Sequence, residues 1–166
     1  WIFSLRDPVE VGVSLIRRPA GWMRPTEASS SELARHVDPD GAAQSPEEFV
    51  ARLYGAFCAA VSRLDAGRGR LVRYETLPAA AWDVVAPHFS QSIDDAQRTR
   101  MAQVARINAK APVGRAAEFA ADATTKQAAA SVELRRAIDA FARPPLQRLE
   151  SIHAQQVRVH SGQNAG

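Results

Sequence analysis

The first fourteen residues, Trp1-Ile2-Phe3-Ser4-Leu5-Arg6-Asp7-Pro8-Val9-Glu10-Val11-Gly12-Val13-Ser14, decide how the chain is read. Residues 1–5 are a short, nearly continuous apolar run. Such a run reads as a strand buried on both faces, as in parallel sheets. Asp7 is a good helix N-cap, and Pro8 suits the first helical position, where no backbone N–H is needed. A helix is expected from Pro8 to about Arg17. Val9, Val13 and Ile16 keep one stripe, and Val11 and Leu15 make other faces apolar as well, which is the pattern of a buried helix.

Outward from this segment the signals alternate between loop and helix. Residues 18–45 hold Pro19, Gly21, Pro25, Pro39 and Gly41 and read as a long loop, with one helical turn near Ser31–His36. Ser45-Pro46-Glu47-Glu48 is a capping box. The helix behind it carries the stripe Val50, Leu53, Phe57, Val61 and Leu64. Gly67-Arg68-Gly69 breaks it, and Leu71–Tyr74 reads as a second strand. Pro78 opens a helix with Trp82, Val85 and Phe89. Ser92 and Asp95 cap the next, which runs to about Arg106. Pro112 and Gly114 mark a loop. Thr124 or Thr125 is expected to cap a helix bearing Leu134, Ile138 and Phe141. Pro144-Pro145 is expected to restart a terminal helix, with a frayed tail over 161–166.

The chain has 166 residues, 46% of them hydrophobic, enough for one domain with a core. Its formal charge of +3, from 21 Lys+Arg against 18 Asp+Glu, suits a phosphorylated small molecule better than nucleic acid. Cys58 is the one cysteine and is expected in the core, so no intrachain disulfide forms. No apolar run approaches the roughly 20 residues of a membrane span, and no signal peptide is visible. A cytoplasmic setting and no membrane partner are the expectation. Two short strands some 65 residues apart make a poor sheet by themselves. Residues 1–5 therefore imply flanking strands from a segment before Trp1, and the chain reads as half of an α/β domain.

The chemistry concentrates at the junction of strand and first helix. A helix N-terminus favours a bound phosphate. Arg6 stands beside it with a guanidinium able to grip phosphate through two hydrogen bonds, and Ser14 adds a hydroxyl two turns along. The competing reading pairs Arg6 with a carboxylate and makes Ser14 a buried helix serine. The histidines, His36, His88, His153 and His160, lack metal-ligand spacing. His36 lies in the segment that most plausibly lines an acceptor site. Asp94-Asp95 fits a first helical turn, where acids complement the helix dipole.

Arg6-Asp7-Pro8 through Ser14 resembles the 3′-phosphate motif of sulfotransferases, enzymes that use 3′-phosphoadenosine-5′-phosphosulfate (PAPS). That motif is an apolar strand, Arg, an acidic residue or Asn, Pro, and a Ser eight residues after the Arg. The resemblance implies that Arg6 and Ser14 contact the 3′-phosphate. Leu71-Val72-Arg73-Tyr74-Glu75-Thr76-Leu77 is similar to the family's Tyr-Glu segment, which implies that Tyr74 contacts adenine; otherwise Tyr74 is a packed strand-end tyrosine. Lys110-Ala111-Pro112, Phe119, Asp122 and Lys126-Gln127 resemble the C-terminal region of bacterial members, which implies that Lys110 and Arg115 close over the nucleotide. Both otherwise read as solvated surface residues. The Arg-x-Gly-x-x-Gly pattern of cytosolic members is absent.

The resemblance spans residues 1–150. It implies a P-loop NTPase-like three-layer parallel sheet with flanking helices, here a helix-rich C-terminal half with about two strands over residues 1–160. It implies PAPS as co-substrate, PAP as product and a small-molecule or carbohydrate acceptor, with the 18–45 segment on the acceptor side. The 5′-phosphosulfate loop and the catalytic base are expected before Trp1, so this fragment is expected to be inactive by itself. The competing function is a non-catalytic nucleotide-binding or helical interaction protein that keeps the scaffold only.

Overall fold

A computed structural model describes residues 1–19, 28–38, 43–107 and 122–163, with the side chains at 28–31, 34 and 160–163 excepted. Strand β1 (Ile2–Leu5) leads into helix α1 (Pro8–Arg17), as the Asp7-Pro8 signal predicts. The Asp7 carboxylate accepts from the backbone N–H groups of Val9 and Glu10. Helix α2 (Ala28–Val37) is ten residues long, where the sequence reading placed a loop with one turn. Its end is tied to helix α3 (Pro46–Val61) through Asp38, which lies 3.9 Å from Arg52 and accepts from Ala43 N–H. Ser45 caps α3 by accepting from Glu48 N–H, and the Glu48 side chain reaches back to Gln44 N–H.

Strand β2 (Arg70–Arg73) lies parallel to β1, with Ile2 opposite Arg70 and Leu5 opposite Arg73. The two strands expected to need outside partners therefore pair with each other. Burial on both faces of β1 is not observed: Leu5 is buried, Ile2 and Phe3 are half-buried and Ser4 is exposed. A two-stranded sheet leaves each strand one unpaired edge, and the outer edge of β2 is met by a side chain. Gln156 accepts from Leu71 N–H and donates to the carbonyls of Ala66 and Gly69. One N–H of that edge, at Leu71, is satisfied in this way. The N-terminal ammonium donates to Arg68 O, and Trp1 lies flat against Gly69, where an added Cβ would fall 2.0 Å from the indole.

After β2, a 3-10 turn (Tyr74–Thr76) and a π-helical turn (Ala81–Val85) lead into α4 (Ala86–His88) and then α5 (Asp95–Ala105). The cap of α5 is Asp94, in a full capping box with Gln97, and not Ser92 or Asp95. Asp95 sits in the first turn. Helix α6 (Ala123–Ala129) contains Thr124 and Thr125 within its first turn and has no side-chain cap. Ser131 caps the following α7 (Val132–Ala137), so the helix bearing Leu134 starts later than a cap at either threonine implies.

Pro144-Pro145 does not restart a helix. From α7 the chain runs through a π turn (Ile138–Ala142) into α8 (Arg143–Gln163) without interruption. A proline inside a helix removes an N–H and clashes with the carbonyl four residues back. The wider π turn moves those carbonyls, and Arg143 N–H bonds to Ile138 O instead. Pro87 follows the earlier π turn in the same way. Helix α8 also extends to Gln163, into the stretch expected as a frayed tail.

The core gathers Leu5, Val9 and Val13 from the first unit, Ala51, Tyr54 and Cys58 from α3, Leu71 from β2, and Leu134, Ile138, Leu146 and Leu149 from α7–α8. Helix α3 buries part of the stripe read from the sequence, with Val61 packed at the core's edge, but not its outer members Phe57 and, just past the helix, Leu64. Val50, Ala51, Leu53, Tyr54, Gly55 and Cys58 are buried, whereas Phe57 and Leu64 are 42% and 50% exposed. Small residues set this orientation. A Cβ at Gly55 would lie 2.1 Å from the Phe141 carbonyl oxygen, so the π turn rests on bare α3 backbone. That carbonyl is free to do so because Pro145, four residues on, has no N–H to offer it. The result is a mostly helical α/β arrangement. No helix among the described residues is long and apolar enough to cross a membrane.

Candidate functional site

The two strands end side by side, and the residues just past their C-terminal ends meet. Arg6 follows β1, Tyr74 follows β2, and the Arg6 guanidinium lies 4.1 Å from the centre of the Tyr74 ring. Parallel pairing puts the two exits at one edge of the sheet, where open α/β folds place ligands. The backbone of Arg6 is pinned from below, since the Tyr54 hydroxyl donates to its carbonyl at 2.7 Å. Burial raises the Tyr54 phenol well above its ordinary value, with Cys58 adding to the rise, so the hydroxyl keeps its proton for that bond.

The Arg6 side chain is already paired. Its Nε and Nη2 donate to Glu10 Oε2 at 3.2 and 3.1 Å, and Nη2 lies 3.8 Å from Asp122 Oδ1. Glu10 and Ser14 are one turn apart on α1, and Arg6, which precedes the helix cap, reaches Glu10 with its side chain. Ser14 Oγ is buried and has no hydrogen-bond partner among the described residues. An unsatisfied buried hydroxyl is costly, and native structures hold few of them. The first amides of α1 are taken by the Asp7 carboxylate, which in turn accepts from Gln127 Nε2 at 2.9 Å. Arg135 holds Gln127 by donating to its side-chain and backbone oxygens. An anion at this site therefore meets side chains rather than the helix amides.

Beside Arg6 stands Lys126, whose side chain is only 6% exposed. Its ammonium lies 2.8 Å from the same Asp122 oxygen that faces Arg6. The hydrogen bond from Lys126 holds the Asp122 carboxyl below the usual carboxylate range, with Arg6 adding to the effect. Two cations thus share one carboxylate oxygen next to an aromatic face.

Of the sequence-predicted site residues, Arg6 and Tyr74 are brought into contact. Ser14 lies in α1 one turn past Glu10, the residue that pairs with Arg6, and shares no hydrogen bond with Arg6 among the described residues. Lys110 and Arg115 lie outside the described residues. Glu10, Tyr54 and Lys126 were not singled out from the sequence as site residues. The i,i+4 spacings Arg6–Glu10 and Asp122–Lys126 were the available signal for two of them. Nothing local marks Tyr54, whose partner is 48 positions away. Among the described residues no group of three or more His, Cys, Asp or Glu side chains is placed to hold a metal ion. No family model, curated protein or solved structure matches the chain.

Proposed function

We propose that the chain carries the 3′-phosphate side of a PAPS site and belongs to a sulfotransferase with a P-loop NTPase-like sheet. The observation that carries the reading is the stacked Arg6–Tyr74 pair at the C-terminal edge of two parallel strands. Arg6 supplies charge and a forked donor for the phosphate, Tyr74 an aromatic surface beside it, and Ser14 a buried hydroxyl without a partner among the described residues. In this reading Lys110 and Arg115 close over the nucleotide, and the sulfuryl group passes to an acceptor hydroxyl or amine. The setting is cytoplasmic and the acceptor a small molecule or carbohydrate.

A second reading has its own support. Arg6 already has Glu10 at 3.1 Å, Asp122 at 3.8 Å and Tyr74 beneath it, partners that suit an arginine that only builds the fold. Calorimetric titration with PAP and with adenosine 5′-phosphate separates the two. Under the donor-site reading, Arg6→Ala weakens PAP binding about 10- to 150-fold, the range of one charge-assisted contact of roughly 1.5–3 kcal/mol. Adenosine 5′-phosphate, which lacks the 3′-phosphate, loses little. Arg6→Lys recovers part of the PAP affinity, and Ser14→Ala costs on the order of 1 kcal/mol. Equal losses for both nucleotides in a folded Arg6→Ala protein remove Arg6 as the phosphate ligand and leave the scaffold reading.

A further inference from the structure

Lys126 is the most buried charged side chain in the described chain, and its surroundings do not look like those of a structural lysine. A buried ammonium has three donors to satisfy, and removing it from water is expensive unless it is fully paired. Among the described residues it meets one acceptor, Asp122 Oδ1 at 2.8 Å. That acceptor is itself 51% exposed, so the stronger cation environment is inside and the carboxylate reaches in from solvent. The second cation facing the same oxygen is Arg6, at 3.8 Å. Arg6 is not dependent on Asp122, because Glu10 holds it at closer range from α1. Asp122 can therefore leave without stranding Arg6, while Lys126 needs an anion in its place.

We infer that the Asp122 carboxylate is a place-holder for a phosphate monoester, which Lys126 and Arg6 bind together once Asp122 swings out. Phosphate suits the position chemically. It offers three acceptor oxygens where the carboxylate presents one, so it satisfies more of the Lys126 ammonium and still reaches Arg6. Exchange of one anion for another keeps the buried positive charge neutralised in both states. It also makes the site selective, since a ligand must outcompete an internal carboxylate of high effective concentration. Neutral ligands and weakly charged anions fail that competition. The inference rests on the donor-site reading for the identity of the phosphate and adds a residue, Lys126, and a regulatory contact, Asp122, to it.

The test is calorimetric titration of the full chain with PAP and with inorganic phosphate at physiological salt, with thermal melts recorded for each variant. Asp122→Asn keeps the shape and removes the competing charge. It is expected to tighten both probes about 2- to 5-fold, the range of one released ion pair. Asp83→Asn, which neutralises an exposed carboxylate paired with Arg98 at 3.6 Å, is the control for general charge and is expected to leave both affinities unchanged. Lys126→Met is expected to weaken both about 10-fold or more. Asp122→Asn binding no tighter than Asp83→Asn, in a protein that melts normally, overturns the place-holder even if Lys126→Met fails to fold. Failure of both probes to bind either the unaltered chain or Asp122→Asn overturns it too. The donor-site reading fails separately. If phosphate binding depends on Asp122 and Lys126 while PAP gains nothing over adenosine 5′-phosphate, the anion site stands and the PAPS assignment falls.

Discussion

Helices α3 and α5 each start on a side-chain cap, but α3 carries a run of apolar residues and α5 is mostly polar, and the fold uses them differently. Helix α3 buries six residues and packs against α1, α7, α8 and the second π turn. Helix α5 buries none, and Met101 and Val104 on it are 37% and 65% exposed. What holds α5 is local: the reciprocal Asp94–Gln97 capping box, the Thr99 hydroxyl donating to Asp95 O, and an ion pair between Arg98 and Asp83. Most helical stability in proteins comes from a packed face, and an eleven-residue helix without one is marginal in water. A good cap therefore says little about which helix holds the molecule together, whereas the apolar run that α3 has and α5 lacks says much. The depth of packing in α3 also depends on having almost no side chain at Gly55.

The sharpest way to break the contrast is Gly55→Ala. By helix propensity alone the change stabilises α3 by about 1 kcal/mol. The Phe141 carbonyl oxygen at 2.1 Å from the new Cβ is backbone and cannot rotate aside. Overpacking of this kind costs roughly 3 kcal/mol or more, so the net expectation is a loss of about 2 kcal/mol in denaturant unfolding. A gain would show that the π turn yields to α3.

A second test uses the acids buried in α3, which α5 lacks. Burial pushes the Cys58 thiol from 9.0 up to about 12, and burial raises Tyr54 as well. A group whose pKa is raised on folding contributes fully below its unfolded value and loses that contribution as pH climbs towards the folded one. The Cys58 contribution is therefore expected to be flat below pH 9 and to make stability fall between pH 9 and about 12. Cys58→Ala should make that fall shallower. Parallel profiles for the two proteins would mean that the thiol is open to solvent at α3.

The smallest effect belongs to α5. Asp94→Ala removes the side chain that accepts from Gln97 N–H and the reciprocal bond with it, for about 1 kcal/mol. Because α5 is not part of the core, hydrogen exchange is expected to quicken in Asp95–Ala105 with α3 unchanged. Equal loss of protection in both helices would join α5 to the core and erase the comparison.

The sequence by itself determined the features whose causes lie within about four residues. Asp7-Pro8 and Ser45-Pro46 start the helices they promise, the two short strands fall where β-type runs were read, and Cys58 is fully buried as a small apolar residue is expected to be. Tertiary structure alone decided what distant segments do to one another. It set α3 so that Ala51, Gly55 and Cys58 face inward beside Val50 and Leu53 while Phe57 stays partly exposed, because the π turn approaches the bare backbone at Gly55. It carried a helix through Pro144-Pro145 by widening one turn. It set Tyr74 under Arg6 from 68 positions away, and it buried Lys126 beside them. Caps and turns are settled by hydrogen bonds a chain makes with its own neighbours. Faces, pairings and the charges inside a site are settled only when the whole chain competes for the same interior.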